Sequence, residues 1–219
     1  ESEYREVHQK AAVLYRKQAR FQLITTGKIS QKSLLFEDQH LERLRKASRY
    51  FAYPFDSENL KQKIEEECQA CDANQDYRLR ISLSKSGEIE VERRVLTPLS
   101  PSFCQAKLCL QEANLQQAFT YFKTTHRPHL SLEEQEIIYH NVKGELLETS
   151  IGNLVLKIDG KLYTPPIRLG ILPGIYRQHL LEIGQAEEKV LTIEDLKGAE
   201  AIYGCNAVRG LYELQVIVL

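Results

Sequence analysis

Four short apolar segments in the second half of the chain, at residues 136–141, 146–150, 154–158 and 161–163, constrain the fold more than any other feature. Lys143-Gly144 lies between the first two and Asp159-Gly160 between the last two. Short polar links ending in glycine supply the positive φ that a tight hairpin needs, so they point to antiparallel pairing of neighbouring strands. The pattern predicts a mostly β second half. It is interrupted by a helix over 175–183 and a short helix starting at Thr192, where Asp195 completes a capping box. Strands at 200–205 and 211–218 close it.

The first half reads differently. A strand-like run over 21–29 and a second over 33–36 suggest a hairpin. Asp38 is then placed to cap a helix whose apolar positions Leu41, Leu44, Ala47 or Ser48, and Phe51 recur every three or four residues. That helix ends before Pro54, and another follows over 57–71. Alternating strands over 77–84 and 88–96 flank Ser86-Gly87. Residues 98–117 carry prolines, small polar residues and one strand at 107–110, which marks a junction. Tyr4, Val7, Ala11 and Leu14 fall at helical spacing over 3–18 and predict a connecting helix. The expected class is α+β: a linker over 1–19, a small α/β domain over 20–117 and a larger β-rich domain over 118–219.

With 219 residues the chain can bury proper cores without disulfide or metal staples. Its 29 basic and 30 acidic residues give a net charge of −1, which offers no broad attraction to nucleic acid or an anionic membrane. Five irregularly spaced cysteines argue against a secreted disulfide framework and for a reducing cytoplasm. Cys68-Gln-Ala-Cys71 lacks the second ligand pair a zinc site needs, so it reads as thiols near a helix end and no metal is expected. Neither a membrane-length apolar run nor a signal pattern is seen. The chain contains no methionine and opens in an acidic amphipathic segment, as a domain cut from a longer polypeptide would.

Three residue types then point to one kind of ligand. Lys123 lies in Tyr121-Phe122-Lys123-Thr124-Thr125, where aromatic neighbours favour the neutral amine. Glu148 sits in an otherwise apolar strand and must face water or meet a cation. Pro173-Gly174 opens the helix at 175, leaving its first N–H groups for an anion. Arg43 and Asn206-Ala207 could complete that seat. A lysine, a carboxylate and a phosphate cradle together are what pyridoxal phosphate requires.

The order and wording of these motifs resemble the class IV aminotransferase family of fold-type IV pyridoxal phosphate enzymes. The residues that carry the resemblance are His40-Leu41-Glu42-Arg43-Leu44, Lys123-Thr124-Thr125-His126-Arg127, Glu148-Thr149-Ser150-Ile151-Gly152-Asn153, the run from Thr164-Pro165-Pro166 to Arg177, and Asn206-Ala207-Val208-Arg209-Gly210. The resemblance implies Lys123 as the Schiff-base lysine and Glu148 as the partner of the ring nitrogen. Arg43, the backbone of Ile175 and Tyr176, and Asn206-Ala207 would hold the phosphate. It also implies a homodimer with the cofactor between a small and a larger domain.

Within the family the Lys-Thr-Thr-x-Arg and Asn-x-Val-Arg-Gly wording is most similar to the aminodeoxychorismate lyases. The opening Glu3-Tyr4-Arg5-Glu6 with Lys10-Ala11 is similar to the end of a fused p-aminobenzoate synthase domain, which implies a synthase component in cis or trans as partner. Thr26, Arg127 and Arg209 are then the candidate substrate contacts. Two positions depart from the family: Thr25 stands where a Glu-Thr pair usually begins, and Leu130 where some lyase-like members have tyrosine. The rival expectations are a branched-chain or D-amino acid aminotransferase with the same cofactor, and a catalytically silent domain supporting a synthase.

Overall fold

The computed structural model describes residues 20–111, 117–131 and 135–218. The helix expected over 3–18 lies outside them. Two sheets organise the rest. The smaller is built from β1 (Leu23–Ser30), β2 (Ser33–Leu34), β3 (Tyr77–Leu83) and β4 (Ile89–Val95) in the order β2-β1-β3-β4. Helices α1 (Glu37–Phe51) and α2 (Ser57–Gln69) belong to the same half.

The alternation of β3 explains how this sheet serves two sides. Leu79, Ile81 and Leu83 are buried with Leu23, Ile29, Leu41, Leu44, Leu60 and Ile64 in one core. Arg78 and Arg80 occupy the intervening positions and therefore point to the opposite face. Leu44 is fully buried in that core, and truncating a leucine in such a setting costs about 2–5 kcal/mol.

The start of α1 departs from expectation. Its N-cap is Phe36 in the left-handed region (φ 60°, ψ 36°), with no side-chain cap, and Asp38 lies inside the first turn. Asp38 and Glu37 then act on the helix dipole rather than as caps. At α2 a carboxylate does cap: the Asp56 side chain accepts from the N–H groups of Glu58 and Asn59. Cys68 and Cys71 are buried free thiols at the end of α2.

The larger sheet has eight strands: β5 (Gln105–Leu110), β6 (Glu136–His140), β7 (Leu146–Thr149), β8 (Asn153–Ile158), β9 (Lys161–Thr164), β10 (Ala186–Glu188), β11 (Ala201–Asn206) and β12 (Gly210–Val218). Their order is β10-β9-β8-β11-β12-β5-β6-β7, and β7 also pairs with β8 through Glu148 opposite Asn153. That extra pairing closes six strands into a ring and turns the sheet back on itself. The hairpin glycines Gly144 and Gly160 adopt φ of 74° and 75°, as their links require. Helices α3 (Gln117–Tyr121), α4 (Ile175–Glu182) and α5 (Ile193–Gly198) complete the fold. The capping box at Thr192 and Asp195 is present.

The segment that carries the lysine singled out above is joined to the small sheet by main-chain bonds. Ile24 N–H donates to the Lys123 carbonyl and Thr125 N–H to the Gln22 carbonyl, both at 2.9 Å, with Leu23 bridged to Thr124. Lys123 is thereby fixed against β1. Among the described residues no helix is long and apolar enough to cross a membrane.

Candidate active site

A cavity of about 530 Å³ opens between the two sheets. One wall is the outer face of the small sheet: Ile24 and Thr26 from β1, with Arg78 and Arg80 from β3. Thr26 stands directly opposite Arg80 in the strand register. The other walls bring together Arg43, Lys123, Arg127, Glu148, Ser150, Asn153, Ile175, Asn206, Ala207 and Arg209. Nine of the ten site residues expected from sequence therefore line one space. Tyr176 is the exception, its ring turned toward Phe36 and His179; only its backbone N–H belongs to the helix start.

Five arginines, Lys123 and one carboxylate line this cavity, so its chemistry is that of an anion receptor. Desolvation pushes the Lys123 amine well below the ordinary lysine range, and Arg43, Arg127, Arg78 and Arg80 push it further the same way. The shift favours the neutral amine, the form able to accept a proton or attack a carbonyl. Glu148 is 2% exposed, and burial raises its carboxyl above the usual value despite Arg127, the Leu172 N–H and Lys123 acting in the opposite direction. Arg127 Nη2 lies 3.5 and 3.4 Å from the two Glu148 oxygens, and Leu172 N–H reaches Oε1 at 3.4 Å. These contacts are long, so the carboxylate is loosely held and open to a shorter partner.

The helix start is built as an anion seat. Gly174, the N-cap of α4, provides no side-chain cap, and Arg43 Nη2 donates to the Pro173 carbonyl at 2.7 Å. This puts a guanidinium at the N-terminus of the helix, where both its charge and the exposed N–H groups favour an anion. Desolvation and then Arg127 lower the Arg43 pKa to about 10. Gly174 has no room for a side chain: a Cβ there would lie 1.8 Å from Asn153 Oδ1. Asn153 in turn donates from Nδ2 to the Leu172 carbonyl at 2.8 Å, which fixes the approach to the helix.

Some residues take other places than their motif suggested. The Asn206 side chain serves its own loop, its Oδ1 accepting from Val208 and Arg209 N–H at 3.0 and 2.9 Å. Arg177 is buried away from the cavity, donating from Nη2 to the Pro165 carbonyl and to Glu188. Arg78 and Arg80 went unremarked in the sequence; their alternation with Leu79 and Ile81 was the available signal. Glu136 was also missed. It is fully buried, receives the hydroxyls of Ser150 and Tyr212 and the N–H of Ile151, and so braces the loop after Glu148. Among the described residues no cluster of His, Cys, Asp or Glu could hold a metal ion.

Comparison with known proteins agrees with this architecture. A Schizosaccharomyces pombe protein provisionally named aminodeoxychorismate lyase is 24% identical over 185 residues, spanning 78% of this chain and 79% of that protein. The Saccharomyces cerevisiae aminodeoxychorismate lyase is 25% identical over 243 residues, with 79% of this chain matching 65% of that one. A solved Mesorhizobium loti structure, provisionally described as an amino-acid aminotransferase, is 28% identical with a TM-score of 0.78, covering 90% of this chain and all of that one. Residues 22–217 match the family model described as amino-transferase class IV. The chain belongs to the class IV aminotransferase family.

Proposed function

We propose that this chain is a pyridoxal phosphate-dependent lyase that converts 4-amino-4-deoxychorismate to p-aminobenzoate and pyruvate. The observation that carries the reading is the setting of Lys123: a buried amine, its pKa pushed well down, shares one cavity with buried Glu148 and the Arg43-flanked start of α4.

The donor set fits the cofactor. Among the described residues buried Arg127 Nε has no partner, and the start of α4, with no side-chain cap, presents its N–H groups beside Arg43. Arg43, the N–H groups of Ile175 and Tyr176, and the Asn206-Ala207 backbone would hold the phosphate. Glu148 would meet the ring nitrogen and Lys123 the carbonyl carbon. When bound, the group supplies an electron-poor ring that accepts the electron pair released as a C–H bond beside the substrate nitrogen breaks.

The remaining work falls to the chain. Neutral Lys123 takes the proton from the amine-bearing ring carbon, and the enolpyruvyl group leaves from the neighbouring carbon as the ring becomes aromatic. Lys123 then delivers that proton to the methylene carbon of the departing group, giving pyruvate, with no water consumed. Glu148, steadied by Arg127, keeps negative charge at the far side of the site. Thr26 and Arg209 face the substrate space. The small and large sheets act as two domains with this cleft between them, and a homodimer and a synthase component in cis or trans belong to the same reading.

The similarity to the Mesorhizobium loti structure favours a second reading, an amino acid aminotransferase with the same cofactor. The reconstituted protein should be given aminodeoxychorismate in one reaction and an amino acid with 2-oxoglutarate in another. Fluorescent p-aminobenzoate from the first supports the lyase; glutamate from the second without p-aminobenzoate overturns it.

A further inference from the structure

Arg78 is surrounded by charge of its own sign. On the cavity face of the small sheet its cross-strand neighbours are Lys28 on β1 and Arg94 on β4, with Arg80 two residues along the same strand. Like charges so placed repel. The two flanking cations have acids of their own: Lys28 Nζ pairs with Asp76 at 3.3 Å, and Arg94 Nε with Glu92 at 2.6 Å. Among the described residues no hydrogen bond or ion pair engages the Arg78 guanidinium.

Arg209 approaches the same space from the large sheet, on the turn between β11 and β12. The Asn206 side chain holds that turn, and Arg209 Nη1 donates to the Thr97 carbonyl, which fixes the arm and leaves its other donors free of protein partners among the described residues. Arg78 and Arg209 both line the cavity, and burial first, then Arg80, Arg94 and Arg209, push the Arg78 guanidinium below its ordinary range. Among the described residues the acid acting on Arg78 in return is Glu92, which already carries Arg94. Two part-buried guanidiniums from opposite sheets, neither ion-paired among the described residues, repel unless an anion joins them. On the same reading the cofactor phosphate would sit elsewhere, at Arg43 and the start of α4.

We propose that Arg78 and Arg209 form a clamp across the cleft that grips one carboxylate of the substrate, making this a site for dicarboxylate amines. The inference rests on the reading of the cavity as a lyase site and adds the residues that select its substrate. Two guanidinium forks suit one carboxylate, each donating in its plane. Because the arms belong to different sheets, the carboxylate also ties the cleft shut.

The test uses the pyridoxal phosphate-loaded protein and titration calorimetry. The probe is 3-(1-carboxyvinyloxy)benzoate, an aromatic dianion shaped like the substrate, with its dimethyl ester as the neutral control. Arg78→Gln and Arg209→Gln should each weaken the dianion by about 10- to 100-fold and leave the ester within twofold. The double variant should lose far less than the product of the single losses, because both arms hold one carboxylate. Arg78→Lys should recover part of the loss. Dianion affinity within twofold of wild type in both single variants, equal losses for dianion and ester, or multiplicative losses in the double variant would each refute the clamp. If the wild type forms p-aminobenzoate while the dianion ignores both arginines, the clamp fails and the lyase stands. If both arginines grip the dianion but no p-aminobenzoate is released from aminodeoxychorismate, the lyase fails and the clamp stands.

Discussion

Arg127 reaches both oxygens of Glu148 through a single nitrogen, Nη2, at 3.5 and 3.4 Å, and its own buried Nε has no partner among the described residues. The pair is 16% and 3% exposed, so neither charge is relieved by water. It is a half-made ion pair at the centre of the cavity, and it explains why the Glu148 carboxyl stays raised beside a guanidinium.

Removing the guanidinium should expose that imbalance. A carboxyl raised in the folded state stabilises the fold most below its unfolded value near 4.5, and stability falls as pH rises through the raised folded value. Arg127→Gln widens this window. Urea midpoints should show a loss of about 1–3 kcal/mol at pH 8 and a smaller one at pH 4.5. Equal losses at both pH values would mean that Arg127 does not act through Glu148.

Lys123 carries a stability cost of the opposite kind. Its folded pKa lies well below that of the unfolded chain, so the folded state binds fewer protons between the two values and stability rises with pH across that interval. Lys123→Met should therefore melt higher than the cofactor-free wild type at pH 7, by about 2–4 °C for each kcal/mol recovered, and lose the alkaline rise. A lower melting temperature with the rise retained would contradict this.

His40 limits the fold on the acid side. It is 1% exposed, with Nδ1 at 2.6 Å from Thr25 Oγ1 and Nε2 without a partner, and desolvation followed by Arg43 and Lys123 lowers its pKa to about 3. The unfolded chain gains a proton near 6.5 that the fold refuses until about 3, so stability declines with acidity over that span. The slope contributed is at most about 1.4 kcal/mol per pH unit. His40→Gln should flatten the profile between pH 6 and 4 whatever its effect at pH 7. An unchanged slope would show that other groups set it.

The helix start depends on an absent side chain. Gly174 has φ −68°, which any residue can adopt, so only space forbids alanine there. Gly174→Ala should push Asn153 off the Leu172 carbonyl, cost about 1–3 kcal/mol, and weaken pyridoxal phosphate binding at least tenfold. Cofactor affinity equal to wild type, measured by equilibrium dialysis, would remove Gly174 from the phosphate seat.

Hairpin glycines and alternating apolar positions made most strands legible, because those signals act over a few residues. Signals set by distant packing were not. Phe36 caps α1 in a left-handed conformation, its ring centroid 5.1 Å from that of distant His179, whereas the local pattern points to Asp38 because aspartate ordinarily caps. β10 has only three residues, Ala186–Glu188, and exists because it lies parallel to β9, a pairing no local pattern announces. In the site, Lys123, Glu148 and Arg43 could be read from motifs. Arg78 could not be tied to Arg209 without knowing that the two sheets face each other.

Lys123 is the residue proposed to hold the cofactor opposite Glu148. The most direct test loads the protein with pyridoxal phosphate, reduces it with borohydride and maps the labelled peptide by mass spectrometry. A single pyridoxyl-phosphate group on Lys123, absent from Lys123→Ala, is the predicted result. A group on another lysine, or none after loading, would contradict it.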